Sequence, residues 1–409
     1  MTPGPAGEDG ERLLAPADMV PDRLLAALVA TEPAAAADLG AARVVRAPGR
    51  VNLIGEHTDY NEGFVLPAAI GLEIRIALVP TDDGRVELTL AASGERDGFS
   101  LDAIPPATGA WIDYPAGMAW ALQEAGVPVR GFRGMLGSTL PVASGLSSSA
   151  ALELASAWAL LDPPEPAAHG LDGMALARLA QRAENEHVGV RSGLMDQFAS
   201  SLGQAGSAML LDCRTLEHQA VRLPLEDHAL VVCDSGSPRR LGGSEYNARR
   251  SQCEQAVAVI AGDHPDVSSL RDVDAALLER FSDRLDAETM RRCLHVIDEN
   301  RRVVLAVEAL RSGDIATVAG LFAESHASLR DLYEVSSPEL DALVELATSM
   351  RGTAARMTGA GFGGCTVNLV PRHELDRFTS TVTLGYRDRT GLEARVLSVA
   401  AVDGAGLMP

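Results

Sequence analysis

The sequence of 409 residues contains no lysine, so all 35 of its basic side chains are arginine. This absence excludes enzyme classes that need a lysine, including P-loop NTPases, protein kinases and Schiff-base enzymes. The 56 acidic residues give the chain a formal net charge of −21. A nucleic acid or an anionic membrane would be repelled by most of such a surface, so we expect neither as a partner.

Cysteines are few and widely spaced. They form no Cys-x-x-Cys pair and, with the histidines, no zinc-site spacing, which favours ordinary thiols in a reducing compartment. The sequence also lacks an apolar run long enough to span a membrane, and it starts with a polar, acidic segment. We therefore expect a cytoplasmic protein. The five cysteines are Cys213, Cys233, Cys253, Cys293 and Cys365.

The length is sufficient for two domains, each with its own hydrophobic core. Residues 1–40 are rich in Ala, Pro and acidic side chains and are predicted to form a tail with a short helix near residues 24–28. We expect an N-terminal domain over 41–215 and a C-terminal domain over 216–409. Strand and helix patterns are mixed throughout, which predicts an α+β fold.

Alternating apolar residues predict strands between Arg43 and Leu90; in 72–78, for example, every second residue is leucine or isoleucine. Short apolar runs at 229–233 and 366–370 predict two further, buried strands. Helical periodicity covers several longer segments. These are 111–122, 150–161, 171–188, 245–262, 285–312, 314–334 and 338–350.

The segment from Arg46 to Pro67 is unusually rich in hydrogen-bonding side chains, which lie among apolar and turn residues. A turn needs only one or two such groups. The density therefore indicates a binding site for a polyhydroxylated ligand. The side chains are those of Arg50, Asn52, Glu56, His57, Thr58 and Asp59.

A loop of small residues over 142–149 ends in three consecutive serines and leads directly into a predicted helix. The N-terminus of a helix presents unpaired N–H groups and a partial positive charge, which favour the binding of phosphate. A plain N-cap is the alternative, but capping needs only one serine. The loop is therefore a candidate phosphate-binding loop.

A second loop, over 356–366, has four glycines within six positions just before a predicted strand. Such a density allows the backbone to approach a ligand or another loop closely. Glycines also serve bulges and tight packing, so this loop alone does not identify a site.

Two carboxylates and one tyrosine are further candidates. Glu184 lies on the apolar face of its predicted helix and needs a partner there, either a metal ion or an arginine such as Arg182 or Arg191. Asp196 lies between apolar residues just after a turn, where helix capping is the simpler interpretation. Tyr246 begins a helix, where packing is the default role.

Taken together and in this order, these segments resemble the signature motifs of the GHMP kinase superfamily, and the first of them resembles the galactokinase signature, nearly unbroken. The resemblance implies an N-terminal ribosomal-protein-S5-like domain, a C-terminal ferredoxin-like domain and an active site in the cleft between them. It also implies MgATP-dependent phosphorylation of the anomeric hydroxyl of α-D-galactose. The segments that carry it are 48–67, 141–153, 184–198, 246–253 and 357–367.

The same resemblance implies roles for individual residues. Asp196 would be the general base and Arg50 the neighbouring cation. Ser149 and Glu184 would hold Mg²⁺, and Trp111 would lie beside the adenine. The sugar would be bound by Glu56, His57, Thr58, Asp59, Gly193 and Tyr246. The triphosphate of ATP would be wrapped by Ala143, Ser144, Gly145, Leu146, Ser147, Ser148 and Ser149.

Departures from the family pattern are small. Glu62 and Ala360 replace residues that are usually small or glycine, and neither is a proposed catalytic group. The nearest alternative is a related sugar-1-kinase that acts on N-acetylgalactosamine or arabinose. Another is a sensor that binds galactose and ATP without chemistry, although such a protein is expected to have a damaged serine loop or no Asp196. We expect the active protein to be a monomer.

Overall fold

The computed structural model of the protein describes residues 13–141, 144–237 and 242–408. Within these ranges the chain forms three β-sheets and eleven α-helices. This mixture confirms the predicted α+β class. None of the described helices is long and apolar enough to cross a membrane.

The largest sheet has six strands in the order β13-β1-β3-β6-β4-β5. All neighbouring pairs are antiparallel except β4 and β6, which run parallel. Strand β13, which lies near residue 407, pairs with β1, so the N-terminal and C-terminal parts of the chain meet in this sheet. The strands are β1 (Arg43–Asn52), β3 (Pro67–Thr81), β4 (Arg85–Leu90), β5 (Arg96–Ser100), β6 (Gly131–Ser138) and β13 (Gly406–Leu407).

Helices cover both faces of this sheet. The helix α1 (Pro21–Thr31) packs on one face, where Leu24 and Leu28 contact Ala77 and Val79. Ile76 and Leu78 alternate with those two residues and point into the main core on the opposite face, as the period of a strand requires. Helices α2 (Asp113–Glu124), α3 (Ser148–Leu160) and α4 (Gly173–Arg182) contribute to the main core, as do the helical segments 303–310 and 318–322 of the C-terminal half. Helix α5 (Met195–Leu202) contacts β1 and β3.

The loop of small residues before α3, called the serine loop below, meets the sheet at an irregularity in the pairing of β1 with β3. The register between β1 and β3 shifts between Pro48 and Gly49. A Cβ at Gly49 would lie only 2.5 Å from the carbonyl oxygen of Leu146, so this close approach requires glycine. The next backbone N–H, that of Arg50, donates to the same carbonyl at 3.0 Å. The loop before α3 is thereby fixed against the strand that carries Arg50.

A second, antiparallel sheet has four strands in the order β10-β11-β9-β12. They are β9 (His228–Asp234), β10 (Ala354–Thr358), β11 (Cys365–Pro371) and β12 (Arg395–Val399). Helices α6 (Gly242–Ala261), α7 (Ala275–Glu279), α8 (Ala287–Ser312), α9 (Ile315–Asp331), α10 (Pro338–Thr348) and α11 (Leu375–Thr390) accompany it. The division at residue 215 stays a prediction, and β13 belongs to the first sheet.

A small third sheet joins β2 (Phe64–Val65) to β7 (Ser207–Asp212) and β8 (His218–Arg222). The helix predicted over 171–188 is present but changes character, since α4 ends at Arg182 and a π-helical turn follows over Ala183–Val188. Such turns are rare and are frequently found at functional sites. Here the turn carries Glu184.

Candidate active site

A cavity of about 570 Å³ opens where four segments meet. They are the signature segment (46–67), the loop before α5, the start of α6 and the glycine loop (356–366). Segments distant in sequence are thus brought to one place. The candidate residues from the sequence that line the cavity are Arg50, Glu56, His57, Asp59, Ser149, Glu184, Gly193, Asp196 and Tyr246.

Asp196 and Arg50 form a two-pronged ion pair in this cavity. The Nε and Nη2 atoms of Arg50 donate to the two carboxylate oxygens of Asp196, each at 2.8 Å. Paired N–H donors of this kind fix the carboxylate in orientation as well as in charge. Asp196 is the second residue of α5, which begins after Leu194 with no capping by a side chain. The capping interpretation of Asp196 is therefore wrong.

The serine loop also holds Asp196. Ser147 has a left-handed backbone, with φ of +61°, and its hydroxyl donates to Asp196 Oδ2 at 2.5 Å. Gly145 accepts from Arg50 Nη1 through its carbonyl at 2.5 Å. The loop is therefore tied to both members of the ion pair.

The N-terminus of α3 has no side-chain cap. Ser147 occupies the N-cap position, but its hydroxyl is directed to Asp196 instead of the helix. Ser144 donates to the carbonyl of Pro141 at 2.8 Å. The first N–H groups of the helix that starts at Ser148 are thus left for another acceptor, as a phosphate site requires. Ala143 lies outside the described residues.

Glu184 is buried and pairs with no arginine in the ranges that the structure describes. It accepts hydrogen bonds from the Ser192 hydroxyl and from Gln197 Nε2, the latter at 2.8 Å. The two arginines considered from the sequence pair elsewhere, Arg182 with Glu186 at 3.0 Å and Arg191 with Glu254 at 2.8 Å. The ion-pair alternative for Glu184 is therefore wrong.

A second buried carboxylate, that of Glu153, lies next to Glu184 and was not identified as a candidate from the sequence. Gln197 Nε2 also donates to Glu153 Oε2 at 3.1 Å, and Glu153 Oε1 has no hydrogen-bond partner among the described residues. Burial, followed by repulsion between the two, raises the pKa of Glu153 well above its usual range; burial and Asp196 raise the pKa of Glu184. Among the described residues, no group of three or more His, Cys, Asp or Glu side chains could hold a metal ion on its own.

Two further carboxylates line the other side of the cavity. Glu56 Oε1 accepts from the N–H of Gly359 at 2.9 Å, and burial raises the pKa of Glu56 to about 7. Asp59 accepts from the N–H of Tyr60 at 3.0 Å, and its pKa is raised to about 6 by burial and by the charge of Asp196. A Cβ at Gly193 would lie 1.8 Å from Asp59 Oδ2, so only glycine leaves room for this carboxylate.

His57 is neutral and its tautomer is fixed by its neighbours. Burial is the main cause that lowers the pKa of His57 to about 3. Its Nε2 lies 3.2 Å from the carbonyl oxygen of Ala360, which can only accept, so the proton is on Nε2. Its Nδ1 then accepts from the hydroxyl of Tyr60 at 2.8 Å. The ring joins the signature segment to the glycine loop.

The remaining candidates divide between cavity and framework. Tyr246 on α6 lines the cavity, with its ring 5.6 Å from that of His57. Thr58 does not line the cavity, since it is buried and donates to the carbonyls of Gly55 at 2.8 Å and Phe64 at 2.6 Å. Trp111 lies outside the cavity lining as well, and its Nε1 donates to Glu95 at 2.9 Å.

Comparison with known proteins gives consistent matches. Residues 37–80 match a galactokinase galactose-binding signature, 113–204 the GHMP kinases N terminal domain and 306–386 the GHMP kinases C terminal model. The chain is 45% identical over 366 residues to the galactokinase of Roseiflexus sp. (strain RS-1), covering 89% of this chain and 92% of that one. It is 44% identical over 369 residues to the galactokinase of Chloroflexus aggregans, covering 89% and 93%.

Solved structures agree with these matches. The Lactococcus lactis galactokinase complexed with galactose superposes with a TM-score of 0.87 at 34% identity and covers 93% of this chain and 99% of its own. The Methanococcus jannaschii mevalonate kinase shares the fold, with a TM-score of 0.64 at 16% identity over 89% of this chain and 99% of its own.

Proposed function

The chain belongs to the galactokinase family of the GHMP kinases, and we propose that it transfers the γ-phosphate of ATP to the anomeric hydroxyl of α-D-galactose, giving galactose 1-phosphate and ADP. The family and the GHMP kinase fold expected from the sequence are confirmed. One observation carries the proposal on the reaction. Asp196, whose carboxylate is held by Arg50, lies in the same cavity as the carboxylates of Glu56 and Asp59 and beside the uncapped start of α3.

The sugar is proposed to bind on the side of Glu56 and Asp59. Ionised carboxylates are strong acceptors for hydroxyl donors, and two of them can fix the orientation of a polyol. Gly193 leaves space beside Asp59, and Tyr246 supplies an aromatic wall. His57 has both ring nitrogens in use, so its support for the sugar is proposed to come mainly through the position of the loops that it joins.

Asp196 is proposed to act as the general base. As the anomeric oxygen of galactose attacks the γ-phosphorus, its proton passes to Asp196 and the bond from phosphorus to the bridging oxygen of ADP breaks. Arg50 and Ser147 hold the carboxylate in one orientation. Positioning of this kind supplies much of the catalysis in phosphoryl transfer.

The triphosphate is proposed to bind along the serine loop and the start of α3, over Ala143, Ser144, Gly145, Leu146, Ser147, Ser148 and Ser149, with Trp111 beside the adenine. Ser149 and Glu184 are proposed to hold Mg²⁺, which neutralises phosphate charge when bound. The buried carboxylates Glu184 and Glu153 support this assignment, since no arginine pairs with either in the described part of the chain. A hydroxyl and carboxylate set suits Mg²⁺, which also binds phosphate oxygens.

The related sugar-1-kinases are the competing function within the superfamily. The direct test is ADP release by the purified protein with MgATP and each of galactose, glucose, N-acetylgalactosamine and arabinose. We expect galactose to give the highest kcat/KM of the four. A higher kcat/KM with N-acetylgalactosamine or arabinose would reassign the substrate while leaving the kinase reaction in place.

We expect galactose binding without nucleotide to weaken as the pH falls. The pKa values of Glu56 and Asp59 are raised to about 7 and about 6, so both carboxylates lose their charge between pH 8 and pH 5.5. Their hydrogen bonds to hydroxyls then lose charge assistance, and we expect the Kd for galactose to rise about tenfold or more. Calorimetry across this range measures it.

The matched control for this titration is Glu56→Gln, which cannot titrate at this position. It is expected to bind galactose more weakly at pH 8 and to lose the upper part of the pH dependence. A Kd for the wild type that stays constant from pH 8 to pH 5.5, with an unchanged melting temperature, would contradict the assignment of both carboxylates to the sugar.

We also propose that the protein acts as a monomer in the cytoplasm. The five cysteines all lie in described residues and form no disulfide, which fits a reducing compartment. All the proposed sugar and base groups are supplied by one copy of the chain. Sedimentation equilibrium is expected to give a mass near 42.9 kDa, and a dimer mass would contradict the monomer.

A further inference from the structure

Arg356 is fully buried in β10, the strand that leads into the glycine loop, and it reaches the signature segment from behind the cavity wall. Its Nη1 lies 2.5 Å from Glu56 Oε2. The same nitrogen lies 2.9 Å from the carbonyl oxygen of Leu53 and 3.3 Å from that of Asn52. A single guanidinium therefore contacts the signature segment at three residues, and one of them is a carboxylate that lines the cavity.

Burial and Arg356 act in opposite directions on the charge of Glu56. Only 1% of its surface is exposed, and burial of a carboxylate disfavours the ionised form. Burial is the largest influence on its pKa, and the charge of Arg356 is the largest opposing one. The carboxylate also accepts from the N–H of Gly359 at 2.9 Å and from the hydroxyl of Thr358 at 3.5 Å. All three contacts thus come from β10 and the loop that follows it.

A neighbouring ion pair engages Arg302, the other buried arginine near Glu56. Glu299 accepts from Arg302 Nε at 2.7 Å, from Ser325 at 2.7 Å and from the N–H of Gly55 at 3.0 Å. Burial opposes ionisation of Glu299, but Arg302 and Arg356 outweigh it and lower its pKa to about 2. Arg356 Nη2 is more distant from Glu299, at 3.8 Å. The buried cluster therefore contains two carboxylates and two arginines, and Arg356 is the partner of Glu56.

We propose that Arg356 is a positioning residue for sugar recognition, which keeps Glu56 charged and aims its carboxylate into the cavity to accept a hydrogen bond from a galactose hydroxyl. The inference rests on the proposed function and adds to it a residue that does not touch the substrate. It also gives the glycine loop over 356–366 a role on the sugar side of the cavity, since Arg356 and Gly359 contact different oxygens of the Glu56 carboxylate.

The test is a double-mutant cycle on Arg356→Met and Glu56→Gln, read as kcat, as KM for each substrate and as the Kd for galactose by calorimetry. Arg356→Met removes the charge that favours ionised Glu56, so the buried carboxylate is expected to take up a proton and lose its charge-assisted hydrogen bond to the sugar. We therefore expect KM for galactose to rise about 30-fold or more while KM for ATP and kcat change less than about threefold. In the double variant there is no carboxylate at position 56 for Arg356 to keep ionised, and KM for galactose is expected to match that of Glu56→Gln within about threefold.

Arg302→Met is the matched control, because it also removes a buried arginine from the cluster but not the partner of Glu56. It is expected to lower the melting temperature and leave KM for galactose within about threefold of the wild type. If Arg356→Met does not fold, the double variant still tests the inference. A yield of folded protein above that of Arg356→Met, with the KM for galactose of Glu56→Gln, supports the coupling.

Effects that multiply in the double variant, or a normal KM for galactose in Arg356→Met, would overturn the inference. These outcomes differ from a failure of the proposed function, in which the wild type itself would release no ADP in response to galactose.

Discussion

Asp196→Asn is expected to lower kcat by about 10²-fold or more, because an amide cannot accept the proton of the anomeric hydroxyl. Asparagine has nearly the shape of aspartate, so the cavity is retained and KM for galactose is expected to change little. Steady-state kinetics with coupled ADP detection measures both constants. Asp196→Ala is the second variant. It is needed because asparagine presents N–H groups to Arg50, and its side-chain amide can rotate away from the position of the carboxylate.

The control for this prediction is Ser147→Ala. It removes one hydrogen bond to Asp196 Oδ2 and leaves the base and Arg50 in place. We expect a smaller loss of kcat than in either Asp196 variant. Near-normal turnover in Asp196→Ala would contradict the role of base, and Asp196 would then only orient the sugar while Arg50 and Mg²⁺ sufficed for transfer.

Arg50→Met is expected to lower kcat by about 10²-fold or more. Arg50 contributes to both halves of the site, since it holds Asp196 through two nitrogens and Gly145 of the serine loop through the third. Only 4% of the surface of Arg50 is exposed. Removal of its guanidinium also leaves the Asp196 carboxylate without its cation. Single-turnover measurements at saturating ATP and galactose separate this effect from product release.

Arg50→Lys is the informative control, because lysine keeps the charge but not the planar fork. We expect it to lie between the wild type and Arg50→Met in kcat. The variant Arg50→Met/Asp196→Asn is expected to be little worse than the more damaged single variant, because the two residues act as one unit. Wild-type kcat in Arg50→Met would contradict the account.

Because the chain contains no lysine, only arginine can bring a fixed positive side-chain charge to the cavity. Among the described residues that line the cavity, Arg50 alone carries a fixed positive charge. Yet its nitrogens are occupied by Asp196 and by the Gly145 carbonyl. We therefore propose that the charge of the phosphates is neutralised mainly by Mg²⁺ and by the N–H groups at the start of α3, the segment that the sequence indicated as a phosphate-binding loop.

Much of the fold was predictable because its signals are local. The alternation over 72–78 marks β3, and the helical periodicity over 285–312 marks α8, which spans Ala287–Ser312. The change from α4 to a π-helical turn at Ala183 was not predictable, because no single residue type specifies it. The predicted helix over 314–334 ends at Asp331, within the uncertainty that local patterns leave at helix ends.

The site was predictable where the residues carry a family pattern, and less so where partners are distant in sequence. The signature segment and Asp196 were identified as candidates, and the cavity brings them together. The partners of Glu56 and Glu184, by contrast, are Arg356 and Gln197, whose contacts depend on the packing of remote elements. Thr58, which the family pattern also assigns to the sugar, is not among the residues that line the cavity, and its hydroxyl donates to the carbonyls of Gly55 and Phe64.

One measurement tests the central claim most directly. The purified wild-type protein is incubated with MgATP and either galactose or glucose, and ADP is measured together with the phosphorylated sugar by ³¹P NMR. The account predicts equal amounts of ADP and of a sugar phosphorylated at the anomeric oxygen with galactose, and little of either with glucose. ADP release that does not depend on galactose, or a phosphate on any other hydroxyl, would contradict it.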